Sequence, residues 1–388
     1  MNQFGFKPME DFQEQKLLPD PFIKPDGSRI TSPDEWPEQR KYLLEMLDYF
    51  LYGPMPPEPS QVKGTVLGSE KVYGGAAVAD DVLLDCGEFK FKVRIQRPGK
   101  AGKFPAVCAY TLPPYVNQLP GEWETLCERD YILASVNVND IAFDRAEGGG
   151  PIYDAYPGYE GKAIMAWTWG VMRVNDYLAG CDYVDAGKLM AAGCSRLGKQ
   201  TLCTAIHDER IVLAGLFGSG CGGCGSFRIL GTGKGPRQDS SVLETLGRMM
   251  YTFPHWFSEN MLPFGMVQPP YTVKKEYRLP FDMHFARILL APRCAICTNG
   301  LEDDWGNLYG DYGTWLAAQE VYEFLDADGN NAYFYRPGPH AYTREEWLAM
   351  LDFADLRFRG IEQPGLALLN KPIYDVDKSV YFNWRKPV

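Results

Sequence analysis

The sequence is 388 residues long, with 45% hydrophobic and 23% charged residues and a formal net charge of −11. This length suits one large α/β domain with additions or two smaller domains, and it can bury a full core without disulfide bonds. The negative charge argues against nucleic acid or an anionic membrane as a partner, because both would require a basic face. No run of about 18 apolar residues is present, so the sequence predicts no membrane-spanning segment.

The first 60 residues are rich in Pro, Asp and Glu and contain one clear helix, predicted over residues 37–52. Gly53 and Pro54 end that helix. We interpret residues 1–60 as an arm packed on a single domain that comprises residues 61–388. Apolar positions alternate in residues 64–97, which predicts antiparallel edge strands.

Continuous apolar runs, typical of parallel strands buried on both faces, follow from residue 104 onwards. Such strands are predicted at residues 104–110, 131–138, 188–194, 211–217, 293–299 and 332–335, and helices at residues 161–178, 312–325 and 343–358. This alternation predicts a three-layer αβα sandwich with a mainly parallel central sheet and antiparallel strands at its N-terminal edge. Residues 220–283 are a long, weakly patterned insertion, which we expect to be a lid or a cleft wall.

The strand predicted at residues 188–194 runs into Gly-Cys-Ser-Arg-Leu-Gly-Lys at residues 193–199. A serine at the apex of such a strand–turn–helix bend can be held exposed as a nucleophile, and Ser195 has that position. The match to G-x-S-x-G is imperfect, since the last glycine falls at Gly198 and not at residue 197. The alternative is an ordinary turn in which Ser195 caps a helix.

A serine nucleophile requires a base, and four histidines are candidates: His207, His255, His284 and His340. His340 follows the last predicted strand and precedes a helix, where the α/β-hydrolase order Ser…Asp/Glu…His places its base. We expect His207 to pack or cap, His284 to be structural, and His255 to lie in the insertion, where it could line a cleft. The sequence therefore predicts His340 as the base.

Three carboxylates, Glu302, Asp303 and Asp304, follow the strand predicted at residues 293–299, where a residue that orients the histidine belongs. At least one of the three has no role other than capping the next helix. The residues alone therefore do not determine which carboxylate is the acid of the triad. The backbone N–H of Arg196, at the start of a helix, is a candidate for stabilising an oxyanion. Its guanidinium could add a donor, bind an acidic substrate or form a surface salt bridge.

Residues 193–199 resemble the G-C-S-R-x-G-K signature of the glucuronoyl esterases, carbohydrate esterases that cleave esters between glucuronic acid on xylan and lignin alcohols. The resemblance extends over most of the chain, through residues 167–176, 220–223, 253–257, 279–284, 290–293 and 303–305. It implies an α/β-hydrolase fold and a serine carboxylic-ester hydrolase without a cofactor. The implied substrate is a small-molecule or oligosaccharide ester of (4-O-methyl-)glucuronic acid.

By this resemblance Ser195 is the nucleophile, His340 the base and Arg196 a residue that stabilises the oxyanion. The residues it implies for substrate binding are Lys199 for sugar hydroxyls, Trp305 for the face of the glucuronoyl ring and, by a looser match, Glu244.

One position departs from the family pattern. The usual acid of the family is a glutamate just after the strand that follows the nucleophile helix, and Gly218 occupies that position here. Some members carry the acid two residues before the tryptophan instead, which corresponds to Asp303. We therefore predict Asp303 as the acid of the triad, with Glu302 second and Asp304 third.

Three alternatives remain. Cys221, Cys224, Cys294 and Cys297 suggest a zinc site of four thiolates, but residues three apart in a strand point to opposite faces, so we predict no metal. The same triad could serve an acetylxylan esterase or act on another uronate ester. An inactive relative that only binds carbohydrate is the third alternative.

Ten cysteines are scattered along the chain, several in apolar segments, which indicates buried thiols in a reducing compartment. The N-terminus also lacks the charged and apolar regions of a signal peptide. We therefore expect a cytoplasmic protein, with a secreted chain whose leader has been removed as the alternative. The oligomeric state is left open, with a monomer expected.

Overall fold

A computed structural model describes residues 4–112, 122–236, 242–265 and 275–387. The strands in these ranges are β1 (Lys63–Val72), β2 (Ala77–Asp85), β3 (Lys90–Pro98), β4 (Phe104–Thr111), β5 (Ile132–Asn137), β6 (Val184–Cys194), β7 (Ile211–Phe217), β8 (Gly231–Thr232), β9 (Gly235–Pro236), β10 (Cys294–Gly300) and β11 (Asn331–Arg336). The α-helices are α1 (Trp36–Leu47), α2 (Glu122–Glu128), α3 (Pro151–Ala155), α4 (Ala163–Ala179), α5 (Arg196–His207), α6 (Leu246–Thr252), α7 (Leu262–Gly265), α8 (Met283–Ile288), α9 (Leu308–Phe324) and α10 (Arg344–Arg359).

Nine strands form one sheet in the order β1-β2-β3-β5-β4-β6-β7-β10-β11. The pairs β1/β2, β2/β3 and β3/β5 are antiparallel. All pairs from β5 to β11 along this order are parallel. The predicted fold class, a mainly parallel sheet with antiparallel strands at the N-terminal edge, is therefore confirmed. Strands β8 and β9 form a separate small hairpin.

The central strands are apolar throughout because both faces of the sheet are covered. In β4, Cys108 and Tyr110 belong to one hydrophobic core, and the alternating residues Val107 and Ala109 belong to the other. Helices α4, α5 and α9 contribute to the first core, and α2 and α10 to the second. The three layers follow directly from this alternation.

The N-terminal residues pack on the sheet domain. Phe22 lies with its ring centroid 5.3 Å from that of Phe324, and Trp384 Nε1 donates to the carbonyl of Leu18 at 2.8 Å. The helix predicted over residues 37–52 consists of α1 and a final π-helical turn, Asp48–Tyr52, ended by Gly53 at φ 76°. The division into an arm (residues 1–60) and one domain (residues 61–388) stays a prediction. Among the described residues, no helix is both long enough and apolar enough to cross a bilayer.

Four neighbouring strands end at the same edge of the sheet. Because β6, β7, β10 and β11 are parallel and adjacent, their carboxyl ends bring together residues that are up to 145 positions apart in the sequence, from Ser195 to His340. The insertion predicted over residues 220–283 begins after β7 and contains α6 and α7. Residues 237–241 and 266–274 of it lie outside the described residues, and its role as a lid stays a prediction.

Candidate active site

Ser195 lies in a strained bend between β6 and α5. Its backbone has φ 58° and ψ −124°, a combination that a residue with a side chain rarely adopts. Three hydrogen bonds hold the bend. Ser195 N–H donates to the carbonyl of Phe217 at 2.8 Å, and the carbonyl of Ser195 accepts from the N–H groups of Gly198 and Lys199 at 2.9 and 3.1 Å. The serine is thus fixed at the edge where the four strands end.

The glycines of this bend are required by close contacts. A Cβ atom on Gly193 would lie 2.4 Å from the carbonyl oxygen of Leu197, and one on Gly198 would lie 3.0 Å from that of Phe217. The side chain of Leu197, in contrast, is buried in the core. Helix α5 therefore needs its second glycine at residue 198, where it approaches β7, which explains the imperfect match to G-x-S-x-G.

His340 and Asp303 form a close pair. His340 Nδ1 lies 2.7 Å from Asp303 Oδ2, and Asp303 Oδ1 accepts from the backbone N–H groups of Trp305 and Gly306 at 3.0 and 2.7 Å. Asp303 is only 1% exposed. Burial disfavours a charged imidazole, but the hydrogen bond and charge of Asp303 outweigh it and raise the pKa of His340 above its usual 6.5. This contact leaves Nε2 of His340 for reaction.

The two other carboxylates of the predicted cluster lie at the surface. Glu302 and Asp304 are both exposed, and the Glu302 carboxylate accepts from the backbone N–H of Gly338. The structure therefore brings Asp303 to His340 and gives Glu302 a turn-stabilising contact.

Gly218 lies directly against the same imidazole. A Cβ atom on Gly218 would be 3.5 Å from His340 Nδ1 and 3.3 Å from its Cε1. A carboxylate at the end of β7 and one at the end of β10 would thus approach the same ring nitrogen from neighbouring strands. In this chain the β10 position carries the carboxylate and the β7 position is a glycine.

The guanidinium of Arg196 is anchored beside Ser195. Nη1 of Arg196 lies 2.5 Å from Asp144 Oδ2, and the guanidinium lies beside the rings of Trp256 and Phe253, 5.0 and 5.3 Å from their centroids. The Arg196 side chain is still 31% exposed. Arg196 also opens α5, where backbone N–H groups have no partner within the helix.

A cavity of about 640 Å³ connects these residues, a volume within the range of small-molecule sites. Its lining includes Ser195, Arg196, Glu244, Phe253, Trp256, Trp305, His340 and Tyr342. Four aromatic side chains and several hydrogen-bonding groups therefore surround the serine.

Lys199 and Glu244 form a buried ion pair next to this cavity. Lys199 Nζ lies 2.8 Å from Glu244 Oε2 and 2.6 Å from the carbonyl oxygen of Ser219, and its side chain is 1% exposed. Gly220, at φ 58°, is needed here, since a Cβ atom on it would lie 2.3 Å from Glu244 Oε2. Glu244 is the member of the pair that lines the cavity. The predicted sugar contacts of Lys199, Glu244 and Trp305 stay predictions.

The other histidines have their own partners. His207 Nε2 contacts Asp48 at 2.8 Å, and His284 Nε2 donates to the carbonyl of Pro19 at 2.8 Å. Burial lowers the pKa of His284 to about 4, which keeps it neutral, as expected of a structural histidine. His255 Nε2 lies 2.9 Å from Asp144 Oδ1, and His255 lines a second cavity of about 660 Å³ beside the first.

The cysteine pairs do not meet as four thiols. Cys224 and Cys297, one from each pair, lie with Asp311 so that their ligand atoms are within 4.8 Å of one another. Cys221 Sγ instead contacts the carbonyl of Ser226 at 3.6 Å. The cationic Arg287 lies 3.3 Å from Asp311 and balances its charge.

Sequence reasoning missed Asp144 and gave no role to Phe253 or Trp256. Asp144 lies in the loop after β5. This loop starts from the carboxyl end of a parallel strand, as do the loops after β6, β10 and β11. Polar residues in such loops are candidates for a site, and that signal could have identified Asp144. The two aromatic residues lie in the insertion, whose weak pattern does not indicate where it packs.

A strained serine between a strand and a helix, with an Asp–His pair on later strands of the same parallel sheet, defines the class of serine hydrolases with an α/β-hydrolase fold. The family model described as glucuronyl esterase, fungi, matches residues 84–326, well over half of the chain. The chain therefore belongs to the glucuronoyl esterase family and is a carboxylic ester hydrolase of the carbohydrate-esterase type, as its resemblance to that family predicted.

Individual relatives agree with this assignment. Carbohydrate esterase MZ0003 from an unknown prokaryotic organism is 26% identical over 424 residues, which cover 92% of this chain and 93% of that protein. The 4-O-methyl-glucuronoyl methylesterase of Podospora anserina is 28% identical over 326 residues, 81% of this chain and 62% of that protein. Among solved structures, a glucuronoyl esterase of carbohydrate esterase family 15 from Caldicellulosiruptor kristjansonii superposes with a TM-score of 0.77 at 26% identity, covering 95% of this chain and 97% of that one.

The expectation of a cytoplasmic protein is wrong. It conflicts with the membership of the glucuronoyl esterase family and with the match to the fungal 4-O-methyl-glucuronoyl methylesterases. The free thiols misled the interpretation because burial, and not only a reducing compartment, protects a thiol from oxidation. Cys108 and Cys221 illustrate this: both are buried, and burial raises the pKa of each thiol well above 9 and suppresses the reactive thiolate.

We predict that Gly193→Ala lowers the free energy of unfolding by roughly 1–3 kcal/mol and removes most of the esterase activity, because the new Cβ would displace the Leu197 carbonyl and tilt the bend at Ser195. Thermal unfolding and ester hydrolysis measure the two effects. Gly187→Ala is the matched control in the same strand, since its Cβ would meet only Asp185 Oδ1, at 3.6 Å. Equal behaviour of the two variants would contradict the close-packing argument.

The pH dependence of hydrolysis should reflect His340. Its ring must be neutral to accept a proton, so kcat/KM should fall as the pH decreases, with a midpoint above 6.5 because Asp303 stabilises the charged ring. Replacing Asp303 by Asn should move that midpoint to lower pH, whereas Glu302→Gln should leave it in place. A wild-type midpoint well below 6.5 would contradict the assignment.

Proposed function

We propose that this protein hydrolyses esters of glucuronic acid, with Ser195 as nucleophile, His340 as base and Asp303 as the acid of the triad. The 2.7 Å contact between His340 and Asp303, at the sheet edge that carries the strained Ser195, is the observation that carries the proposal. Membership of the glucuronoyl esterase family supports the substrate class.

The reaction proceeds in two acyl-transfer steps. His340 Nε2 takes the proton of Ser195 Oγ while Oγ attacks the C6 carbonyl carbon, and Asp303 holds the ring and stabilises the imidazolium. The tetrahedral oxyanion collapses, the alkoxide leaves with the proton from His340, and an acyl-enzyme remains. Water then repeats the sequence, with His340 as base, and releases glucuronate.

Arg196 is the residue we propose for oxyanion stabilisation. Its backbone N–H opens α5, and its guanidinium lines the cavity beside Ser195. A cationic donor that is already oriented stabilises the charge that develops on the carbonyl oxygen without reorganisation in the transition state.

The sugar side of the substrate is accommodated by the other wall of the cavity. Trp305 offers an aromatic face on which the apolar face of a pyranose can pack, and Glu244 offers a carboxylate for sugar hydroxyls. Lys199 holds Glu244 in place through the buried ion pair. The alcohol of the ester is not specified by these residues.

A substrate panel tests the proposal. The wild-type enzyme should hydrolyse methyl and benzyl glucuronate with a higher kcat/KM than para-nitrophenyl acetate, and Ser195→Ala should lower these rates by at least ~10³-fold with an unchanged unfolding temperature. A preference for the acetate would favour the acetyl esterase alternative, and no hydrolysis of any ester would favour an inactive carbohydrate-binding relative. Wild-type rates in Ser195→Ala would contradict the nucleophile.

The choice of acid has its own test. Asp303→Asn should lower kcat by ~10²–10⁴-fold, because the ring loses its orientation and the stabilisation of its charged form. Glu302→Gln, at the adjacent exposed position, is the matched control and should change kcat by less than about threefold. A larger loss in Glu302→Gln than in Asp303→Asn would show that the wrong carboxylate was chosen.

A further inference from the structure

The carboxylate of Asp144, which lines the cavity, is shared by three donors. Oδ2 accepts from Arg196 Nη1 at 2.5 Å, and Oδ1 accepts from His255 Nε2 at 2.9 Å and from Trp256 Nε1 at 2.8 Å. The Asp144 side chain is 6% exposed. A buried carboxylate with both oxygens engaged in this way has a fixed orientation.

Asp144 also carries a permanent charge. Burial opposes its ionisation, but the hydrogen bond from His255 and the charge of Arg196, with the Trp256 N–H, outweigh that effect and lower its pKa to about 2. The carboxylate therefore stays anionic over the pH range in which His340 can act as a base.

Aromatic rings hold the Arg196 guanidinium from a second direction. Trp256 and Phe253 stack with their centroids 3.9 Å apart and their planes at 7°, and the guanidinium lies beside this stack, 5.0 and 5.3 Å from the two centroids. Trp256 thus contributes its ring to Arg196 and its N–H to Asp144. A free arginine side chain loses rotamer entropy when it becomes ordered, so constraints present before the substrate binds are worth most at a group that acts in the transition state.

We propose that Asp144, held by His255 and Trp256, is a positioning residue of the esterase: it fixes the guanidinium of Arg196 where the oxyanion develops. It acts through Arg196 and does not contact the reacting atoms. This inference rests on the proposed ester hydrolysis. The competing explanation is that Asp144 only fastens its loop to residues 253–257 and contributes stability alone.

A double-mutant cycle separates these explanations. Asp144→Asn should lower kcat for benzyl glucuronate by about 10–100-fold and change KM by less than about threefold. In an Arg196→Gln background, the same substitution should cost less than about threefold, because the group that it positions is already gone. Equal losses in both backgrounds, or no loss in either, would overturn the proposal.

A matched control and a second readout complete the experiment. Asp140→Asn removes a carboxylate from the same loop, where the charged neighbour is Lys92, and should leave kcat unchanged. Phenylboronic acid, which forms a tetrahedral adduct on Ser195, should bind more weakly to Asp144→Asn in proportion to the loss of kcat. Unchanged boronate affinity would overturn the positioning role.

His255 provides the test if Asp144→Asn does not fold. His255→Gln keeps a side-chain N–H and should retain near wild-type kcat, whereas His255→Phe keeps the ring but removes the donor and should lower kcat by about tenfold at an unchanged KM. Equal kcat in the two variants would overturn the proposal. A wild-type enzyme that hydrolyses no glucuronate ester would refute the proposed function, and the boronate affinities would then still decide the role of Asp144.

Discussion

The strained backbone of Ser195 is the constraint on which the site depends. A non-glycine residue at φ 58° costs on the order of 1–3 kcal/mol, and it persists because the close packing of β6, α5 and β7 holds the bend. Gly193 and Gly198 are the positions where that packing is tightest. The same contacts that make the bend costly therefore also keep the hydroxyl in one place, at the edge where three other parallel strands end.

The sheet offers the histidine two places for its acid. Position 218 after β7 and position 303 after β10 both approach His340 Nδ1, because these parallel strands are neighbours and end at the same edge of the sheet. A glycine at one and a carboxylate at the other satisfy the same requirement. Two carboxylates would place like charges beside one imidazole, whereas one fully hydrogen-bonded carboxylate orients the ring without that repulsion.

Much of the fold could be predicted from the sequence because buried parallel strands have a distinctive pattern. The runs that became β4, β5, β7 and β10 are continuous and apolar, and helices α4, α9 and α10 alternate with them. Chain order also predicted that the carboxylates of residues 302–304 lie near His340, since residues after parallel strands share one edge, but the choice of Asp303 came from the resemblance to the family. The resemblance at residues 193–199 indicated the family.

The contacts made by the insertion could not be predicted. Phe253, His255 and Trp256 reach the site from a segment without clear periodicity, so nothing local indicates that they pack on Arg196. The sequence pattern could not indicate the hydrogen-bond partners of Asp144, because its three donors come from α5 and from the insertion. Lys199 was predicted to bind sugar hydroxyls. Its side chain is instead buried against Glu244, and tertiary packing, which sets the position of residue 244, determines that contact.

The positive charges of the two cations at the start of α5 are each balanced by one carboxylate. Arg196 and Lys199 lie one turn apart at the positive end of the helix, and each has an acid from a different segment, Asp144 and Glu244, within 2.8 Å. The fixed charges of these two pairs therefore cancel. An environment without excess positive charge suits a neutral ester better than the anionic acid that hydrolysis produces. In the role proposed for it, the oriented guanidinium of Arg196 still stabilises the transient charge of the oxyanion. Pairing each cation thus reconciles stabilisation of the transition state with release of an anionic product.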